Sequence, residues 1–417
     1  MKKTLTLFLI GLFSLLIAQD RKDLGNTFIK TLLVDKNAEK AHAYFDASIA
    51  GQIPVPQLKS VVDQLLGQLG PFKNVIEINH EDDKYYYYSE FEKSKLDILI
   101  TFNEQNKMMG FVLVPHKIFD KADDKTSLKI KSGDIDLKGT LLVPDQNSKK
   151  KLVILVHGSG ASDRDETIGD NKPFKDIADE LFKNGIATYR YDKRTYSNAE
   201  TLSPQFTPAD ETINDAVNAA AYFKNNESFK DYQIIILGHS LGAYLMPRIA
   251  EKTNASKYIF MAGNARPMQD LIVDQYEYIH KVNPAGLPEE EVGKIKKQVA
   301  FVNSGKLTVD TPDSELPLGL PAAYWKYLQA YHPLEEVKKI KSPMFFAQGG
   351  RDYQVTEKDF SLWKNTLKNN KSAVFKWYPF LSHLFIKGSG TPSPKDYTVK
   401  GNVDQEFLND LIQFILK

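Results

Sequence analysis

The spacing of apolar and polar positions divides the chain into two regimes. Between residues 20 and 117, apolar positions recur at helical spacing over 23–34 and 38–46. They do so again over 56–69, where Leu58, Val61, Val62, Leu65 and Leu66 fall on one face. Gly70-Pro71 ends that run. Four β-type stretches follow, at 75–78, 85–91, 96–102 and 108–114, parted by short polar turns. Helices followed by consecutive strands predict a small α+β domain, with helices on one face of an antiparallel sheet. The run Tyr85-Tyr86-Tyr87-Tyr88 suits a half-exposed strand, where tyrosine is a good β-former, better than it suits a binding surface.

From Leu128 the pattern changes. Residues 128–132 and 135–143 read as a hairpin around Gly133-Asp134. Strands at 151–156, 187–191, 232–237, 257–262, 343–348 and 373–378 then alternate with helical stretches at 174–184, 212–225, 243–250 and 405–416. That alternation predicts an α/β class domain, a mostly parallel doubly wound sheet covered on both faces, with the hairpin adding antiparallel strands at one edge. The interval about 264–340 breaks the rhythm, with helical spacing interrupted by Pro and Gly. Ligand sites of open α/β sheets lie beyond the carboxyl ends of the strands, so an insertion there should cover the site as a cap. The expected organisation is a signal peptide at 1–18, a small domain at 19–117, a polar connector at 118–127 and the larger domain at 128–417.

The leader is read from Lys2 and Lys3, the apolar run 5–17, and Ala18 as a small residue for cleavage. An apolar run of about 13 residues is short for a membrane span, so no stable membrane insertion is expected after cleavage, with an uncleaved anchor as the alternative reading. The mature chain is expected to be periplasmic or secreted. The chain has 417 residues, no Cys and a formal net charge of +1. The lack of Cys excludes disulfides, a thiol nucleophile and thiolate metal sites. The near-zero charge gives nucleic acid no electrostatic footprint.

Chemistry concentrates at Gly238-His239-Ser240-Leu241-Gly242. Such a pentad arises by chance in roughly one chain in seven of this length, so its weight comes from the strand before it and the helix after it. Strand, tight turn and helix are how a serine nucleophile is held above a sheet, in a strained backbone conformation that glycine neighbours allow. A nucleophilic Ser needs a base, and the base needs an orienting acid, in the chain order Ser, acid, His. Of the histidines after the pentad, His280 and His332 fall in the insertion. His383 lies just past the last strand and is the expected base. Asp352 follows strand 343–348 and Gly349-Gly350, which let the chain turn out of the sheet; it is the expected acid. An oxyanion hole needs two N–H donors. Leu241, directly after the nucleophile, supplies one. The turn His157-Gly158-Ser159-Gly160 supplies the other, through Ser159 in preference to Gly158 or Gly160. His157 itself is expected to serve as a structural hydrogen-bonding residue. Tyr276, Tyr278, Tyr324, Trp325, Tyr327 and Tyr331 are candidates to line the cap, and Arg266, just past a strand end, to bind a substrate carboxylate.

These motifs, in this order, resemble the α/β-hydrolase superfamily. Three further stretches resemble one secreted bacterial esterase-like branch with a small N-terminal domain of uncharacterised role: residues 157–173, the run Tyr189-Arg190-Tyr191-Asp192-Lys193-Arg194, and Ala262-Gly263-Asn264-Ala265-Arg266-Pro267. Ser240, Asp352 and His383 fall on the family's triad positions. The resemblance implies a serine carboxylesterase acting on short- to medium-chain acyl esters, with a small-molecule ester substrate and no metal or organic cofactor. The charged run Asp163-Arg164-Asp165-Glu166 fits the branch and is read as a loop pinning the site entrance. A peptidase or acyltransferase on the same triad, a binding role led by the N-terminal domain, and homo-oligomerisation stay open.

Overall fold

The computed structural model describes residues 21–81, 83–117, 119 and 125–417. The leader read at 1–18 lies outside the described residues, as does most of the connector read at 118–127. The chain divides into two compact units, with the boundary after residue 121.

In the first unit a helix, Val55–Leu69, starts behind Pro54 and stops at Gly70, whose φ of 76° a side chain would oppose. It buries Leu58 and Val62. Strands β1 (Phe72–Glu81), β2 (Lys84–Phe91), β3 (Lys95–Phe102) and β4 (Met108–Val114) form an antiparallel meander in chain order. The strand of tyrosines differs from the expectation of a half-exposed surface. Tyr85, Tyr86 and Tyr87 are all buried, because β2 is covered on both faces. Tyr85 and Tyr87 join the apolar core beneath the helices, while Tyr86 packs on Phe119 and Tyr88 stacks on His116.

The second unit is built on eight strands: β5 (Ser127–Ser132), β6 (Ile135–Leu142), β7 (Lys151–Val156), β8 (Ala187–Tyr191), β9 (Gln233–His239), β10 (Lys257–Met261), β11 (Met344–Gly349) and β12 (Ala373–Tyr378). Their order is β12-β11-β10-β9-β7-β8-β6-β5. The run from β12 to β8 is parallel, and the β5–β6 hairpin joins it antiparallel at one edge. Strands β7 and β9 read as unbroken apolar runs because both their faces are covered. Val153, Leu155, Ile235 and Leu237 enter one core, with the helices Pro173–Lys183 and Gln405–Leu416. Ile154, Val156 and Ile236 enter the other, with Asn214–Asn225 and Glu357–Thr366. The chain runs from β7 outward to β8, then returns to the other side of β7 as β9. That reversal opens a crevice at the carboxyl ends of β7 and β9. The insertion leaves the carboxyl end of β10 and contains the helices Met268–Val282, Glu289–Asn303 and Ala322–Gln329. Among the described residues, no helix is long and apolar enough to cross a membrane.

Candidate active site

Val156 stands opposite Gly238 in the register of β7 on β9, so the turn 157–160 and the pentad leave the sheet side by side. Ser240 has φ 49° and ψ −112°, a conformation that costs a non-glycine residue about 1–3 kcal/mol and marks functional turns. Its N–H donates to the Met261 carbonyl at 2.9 Å, fixing the turn to β10. The flanking glycines are needed for close approach. A Cβ on Gly238 would overlap the backbone of Gly242, and one on Gly242 would overlap the carbonyls of Val156 and His157. The helix after Ser240 runs in two pieces, Leu241–Tyr244 and Met246–Thr253, because Pro247 has no N–H to continue the ladder.

Asp352 is buried at the turn after β11. Its Oδ1 accepts the N–H groups of Gln354 (2.8 Å) and Val355 (2.9 Å). Its Oδ2 accepts Gln348 Nε2 (2.9 Å) and His383 Nδ1 (2.7 Å). Three of these contacts are amide N–H donors, which favour the ionised carboxylate, and an ionised carboxylate can only accept. The Nδ1 of His383 therefore carries the proton, and its Nε2 keeps a lone pair. The glycines before Asp352 act differently from the turn-forming role expected of them. Neither takes a positive φ. A Cβ on Gly349 or Gly350 would strike the backbone of the His383 loop, at Leu381, Ser382 and Pro379. They are small so that the acid turn and the histidine loop can touch.

Around the turn after β7, the run 163–166 is not an entrance loop. Asp163, Arg164, Asp165 and Glu166 are all at most 5% exposed. Arg164 forks onto Asp192 at 3.0 and 2.7 Å, and Asp165 pairs with Arg190 at 2.9 Å. Glu166, itself at φ 54°, accepts the Gly158 N–H at 2.7 Å and lies 2.9 Å from His239 Nδ1. His239 Nε2 donates to the His383 carbonyl at 3.0 Å. Burial works against a charged His239, but the Glu166 carboxylate and the His383 carbonyl outweigh it and raise its pKa. Burial likewise opposes the Glu166 charge, and His239, together with His157 and the Gly158 N–H, more than offsets it, so Glu166 is lowered. A buried ion pair thus ties the turn, the pentad and the histidine loop together. Because Glu166 occupies the Gly158 N–H, that group is not free to meet a substrate; Ser159 is exposed and Leu241 is buried directly behind Ser240. His157 is buried, with Nε2 donating to the Asp163 carbonyl at 2.9 Å.

Three expected substrate contacts stand elsewhere. Arg266 is 8% exposed, and its guanidinium is used by Asp359 (Nε 3.2 Å, Nη2 2.9 Å) and Asp274. It ties the first helix of the insertion to the helix after the acid turn, and has no charge to spare for a substrate carboxylate. Tyr324 and Trp325 are buried in the core rather than lining an open surface, with the Tyr324 hydroxyl donating to Glu211 at 2.7 Å. Tyr331 is buried too, donating to the Tyr244 carbonyl. Tyr278 is half-buried and stacks on Tyr353, the residue after Asp352. Glu166, His239 and Lys193 were missed as site residues in the sequence. The available signal was a density of charge directly after a glycine turn that follows a buried strand.

Compared with known families, residues 147–387 match the family described as serine aminopeptidase, S33, and residues 27–111 match one described as a protein of unknown function (DUF3887). Esterase EstD of Thermotoga maritima is 32% identical over 395 residues, covering 92% of this chain and 93% of that protein. Among solved structures, Est1E of Butyrivibrio proteoclasticus is similar at 16% identity and a TM-score of 0.44, over 70% of this chain and 96% of that one. An esterase of Pyrococcus furiosus is similar at 17% identity and a TM-score of 0.43, over 69% and 89%.

Proposed function

The chain belongs to the serine aminopeptidase S33 family of α/β-hydrolases and is a carboxylic ester hydrolase, and from that premise we propose that it cleaves short- to medium-chain acyl esters through Ser240, His383 and Asp352. His383 Nε2 takes the Ser240 hydroxyl proton as Oγ attacks the ester carbonyl. The N–H groups of Ser159 and Leu241 receive the oxyanion. The tetrahedral adduct collapses, the C–O bond to the alcohol breaks, and His383 returns its proton to the leaving oxygen. Water then attacks the acyl-enzyme, again giving its proton to His383, and releases the acid. Asp352 holds the tautomer and stabilises the imidazolium. The observation that carries this reading is the buried Asp352 carboxylate bonded to His383 Nδ1, at the carboxyl ends of the strands where Ser240 also takes its strained turn.

The test is a series of p-nitrophenyl esters from acetate to laurate beside aminoacyl p-nitroanilides, with a fluorophosphonate probe on intact enzyme. We expect labelling at Ser240, loss of turnover in Ser240→Ala, and the highest kcat/KM on the shorter esters. Faster anilide than ester turnover would favour amide hydrolysis, the second reading that the family description suggests. Full turnover in Ser240→Ala would end the mechanism. Export is part of the same proposal and rests on the leader read at 1–18; a mature protein that keeps Met1 on N-terminal sequencing would refute it.

A further inference from the structure

Lys193 is 1% exposed, although an ammonium loses several kcal/mol of hydration when buried. It lies just past β8, and its Nζ donates to the Gly158 carbonyl at 2.7 Å and pairs with Glu211. The other Glu211 oxygen accepts the Tyr324 hydroxyl, from a helix of the cap, at 2.7 Å. Burial and the Glu211 charge hold Tyr324 protonated, raising its pKa far above the ordinary value. One continuous buried chain therefore runs from the cap, through Glu211 and Lys193, to the carbonyl of Gly158. A well-packed apolar filling is often as stable as a buried ion pair, so stability alone does not account for it.

The consequence follows from peptide geometry. The Gly158 carbonyl and the Ser159 N–H belong to one planar trans unit and point in opposite directions. Fixing one fixes the other. The preceding N–H of the same residue is held by Glu166 at 2.7 Å, so Gly158 is gripped from both sides. An ammonium on the carbonyl also draws electron density from the peptide and strengthens its N–H as a donor.

We propose that Lys193 is a positioning residue of the oxyanion hole, aiming and polarising the Ser159 N–H through the Gly158 carbonyl, and that Tyr324 makes that aim depend on the seating of the cap. The proposal rests on the Ser240 mechanism above. Misaiming a donor costs part of what deleting one does, so Lys193→Met should lower kcat about 10–100-fold with KM within about twofold. Tyr324→Phe leaves both charges in place, and should lower kcat by a smaller factor, also at constant KM.

The experiment measures kcat and KM on p-nitrophenyl butyrate per active site titrated with fluorophosphonate, and Ki for a trifluoromethyl ketone whose adduct carries the oxyanion. Ki should rise by the factor by which kcat/KM falls, a correlation that loose packing alone does not produce. Lys193→Met strands Glu211, so the double variant Lys193→Met/Glu211→Leu, which removes both charges, decides the matter if the single variant does not fold. A folded double variant that is labelled at Ser240 and turns over with native kcat and native Ki overturns the clamp and leaves the triad standing. A wild type that is not labelled at Ser240 overturns the triad and the clamp together.

Discussion

Acid should loosen this enzyme through His157, a residue that takes no part in the proposed proton transfers. Its Nε2–H donates to the Asp163 carbonyl, so a second proton must go on Nδ1, which is buried and has no partner among the described residues. Burial, the largest influence, pushes its pKa down from 6.5 to about 4, with Glu166 pulling upward and Lys193 pushing further down. The folded-state pKa thus lies below the unfolded one. The stability this represents is fully present above pH 6.5 and is lost as pH falls towards 4. At about 1.4 kcal/mol per pH unit, the interval from 6.5 to about 4 is worth about 3 kcal/mol. The perturbation is His157→Gln, whose amide can keep the bond to Asp163 and cannot take the proton. The assay is urea unfolding followed by tryptophan fluorescence between pH 7 and 4. All three tryptophans, Trp325, Trp363 and Trp377, lie in the hydrolase unit, so the signal reports that unit. Burial raises the pKa values of Asp163 and Asp215, which act with the opposite sign. They are common to both proteins and largely cancel in the comparison. The wild type should lose about 3 kcal/mol more than the variant over this window. Parallel stability–pH curves would refute the reasoning.

Two further outcomes follow from the same contacts. Asp352→Asn should lower kcat about 10³–10⁴-fold with KM little changed, because the amide no longer fixes the proton on His383 Nδ1; a loss under tenfold on p-nitrophenyl butyrate would contradict the pairing. Arg266→Leu should destabilise the hydrolase unit by about 3–5 kcal/mol in urea unfolding, since it leaves the fully buried Asp359 unpaired. The same variant should change KM equally for a neutral ester and for one bearing a carboxylate, and a selective rise for the charged ester would return Arg266 to the substrate site.

Much of this architecture is legible along the chain because it is encoded locally. β7 and β9 announce themselves as unbroken apolar runs, and the turns that follow them carry their own glycines. Asp352 and His383 are found by their place after β11 and β12, and the structure brings them within 2.7 Å. The failures share a cause, which is that the deciding partner is remote in sequence. Arg266 reads as free until Asp359 arrives from 93 positions away. Tyr324 and Trp325 carry the same apolar signal whether a cap helix faces a ligand or the domain beneath it, and only packing decides between them. The run 163–166 reads as a loop at the site entrance, because charged residues are rarely buried unless they are paired. Its partners, Asp192, Arg190 and His239, lie on or just past two other strands.

Those partners also explain why the turn after β7 tolerates so much buried charge. Each group is costly alone, and removing one member of a buried pair typically destabilises by about 3–5 kcal/mol. Here every one of Arg164, Asp165, Glu166 and Lys193 has an opposite charge within reach, on a segment that must stay fixed relative to Ser240. An apolar filling can slide by fractions of an ångström with little penalty. A forked Arg164–Asp192 pair, or a Glu166 carboxylate accepting the Gly158 N–H at 2.7 Å, loses energy steeply when displaced. An oxyanion donor must meet its oxygen within a few tenths of an ångström to act, so stiffness is the property the site needs. The same wiring makes the stiffness conditional on protonation. Glu166 has a lowered pKa, so its stabilising share is present above its unfolded value and fades as pH falls through the folded one. That loss adds to the loss at His157, while His239, whose pKa is raised, acts with the opposite sign, its share being present in acid and fading as pH rises. In the folded protein His157 stays neutral down to about pH 4 and Glu166 stays ionised below its ordinary value, so acid should erode unfolding stability before it alters the oxyanion turn, with the urea midpoint falling at pH values where tryptophan fluorescence in the absence of urea still reports a native core.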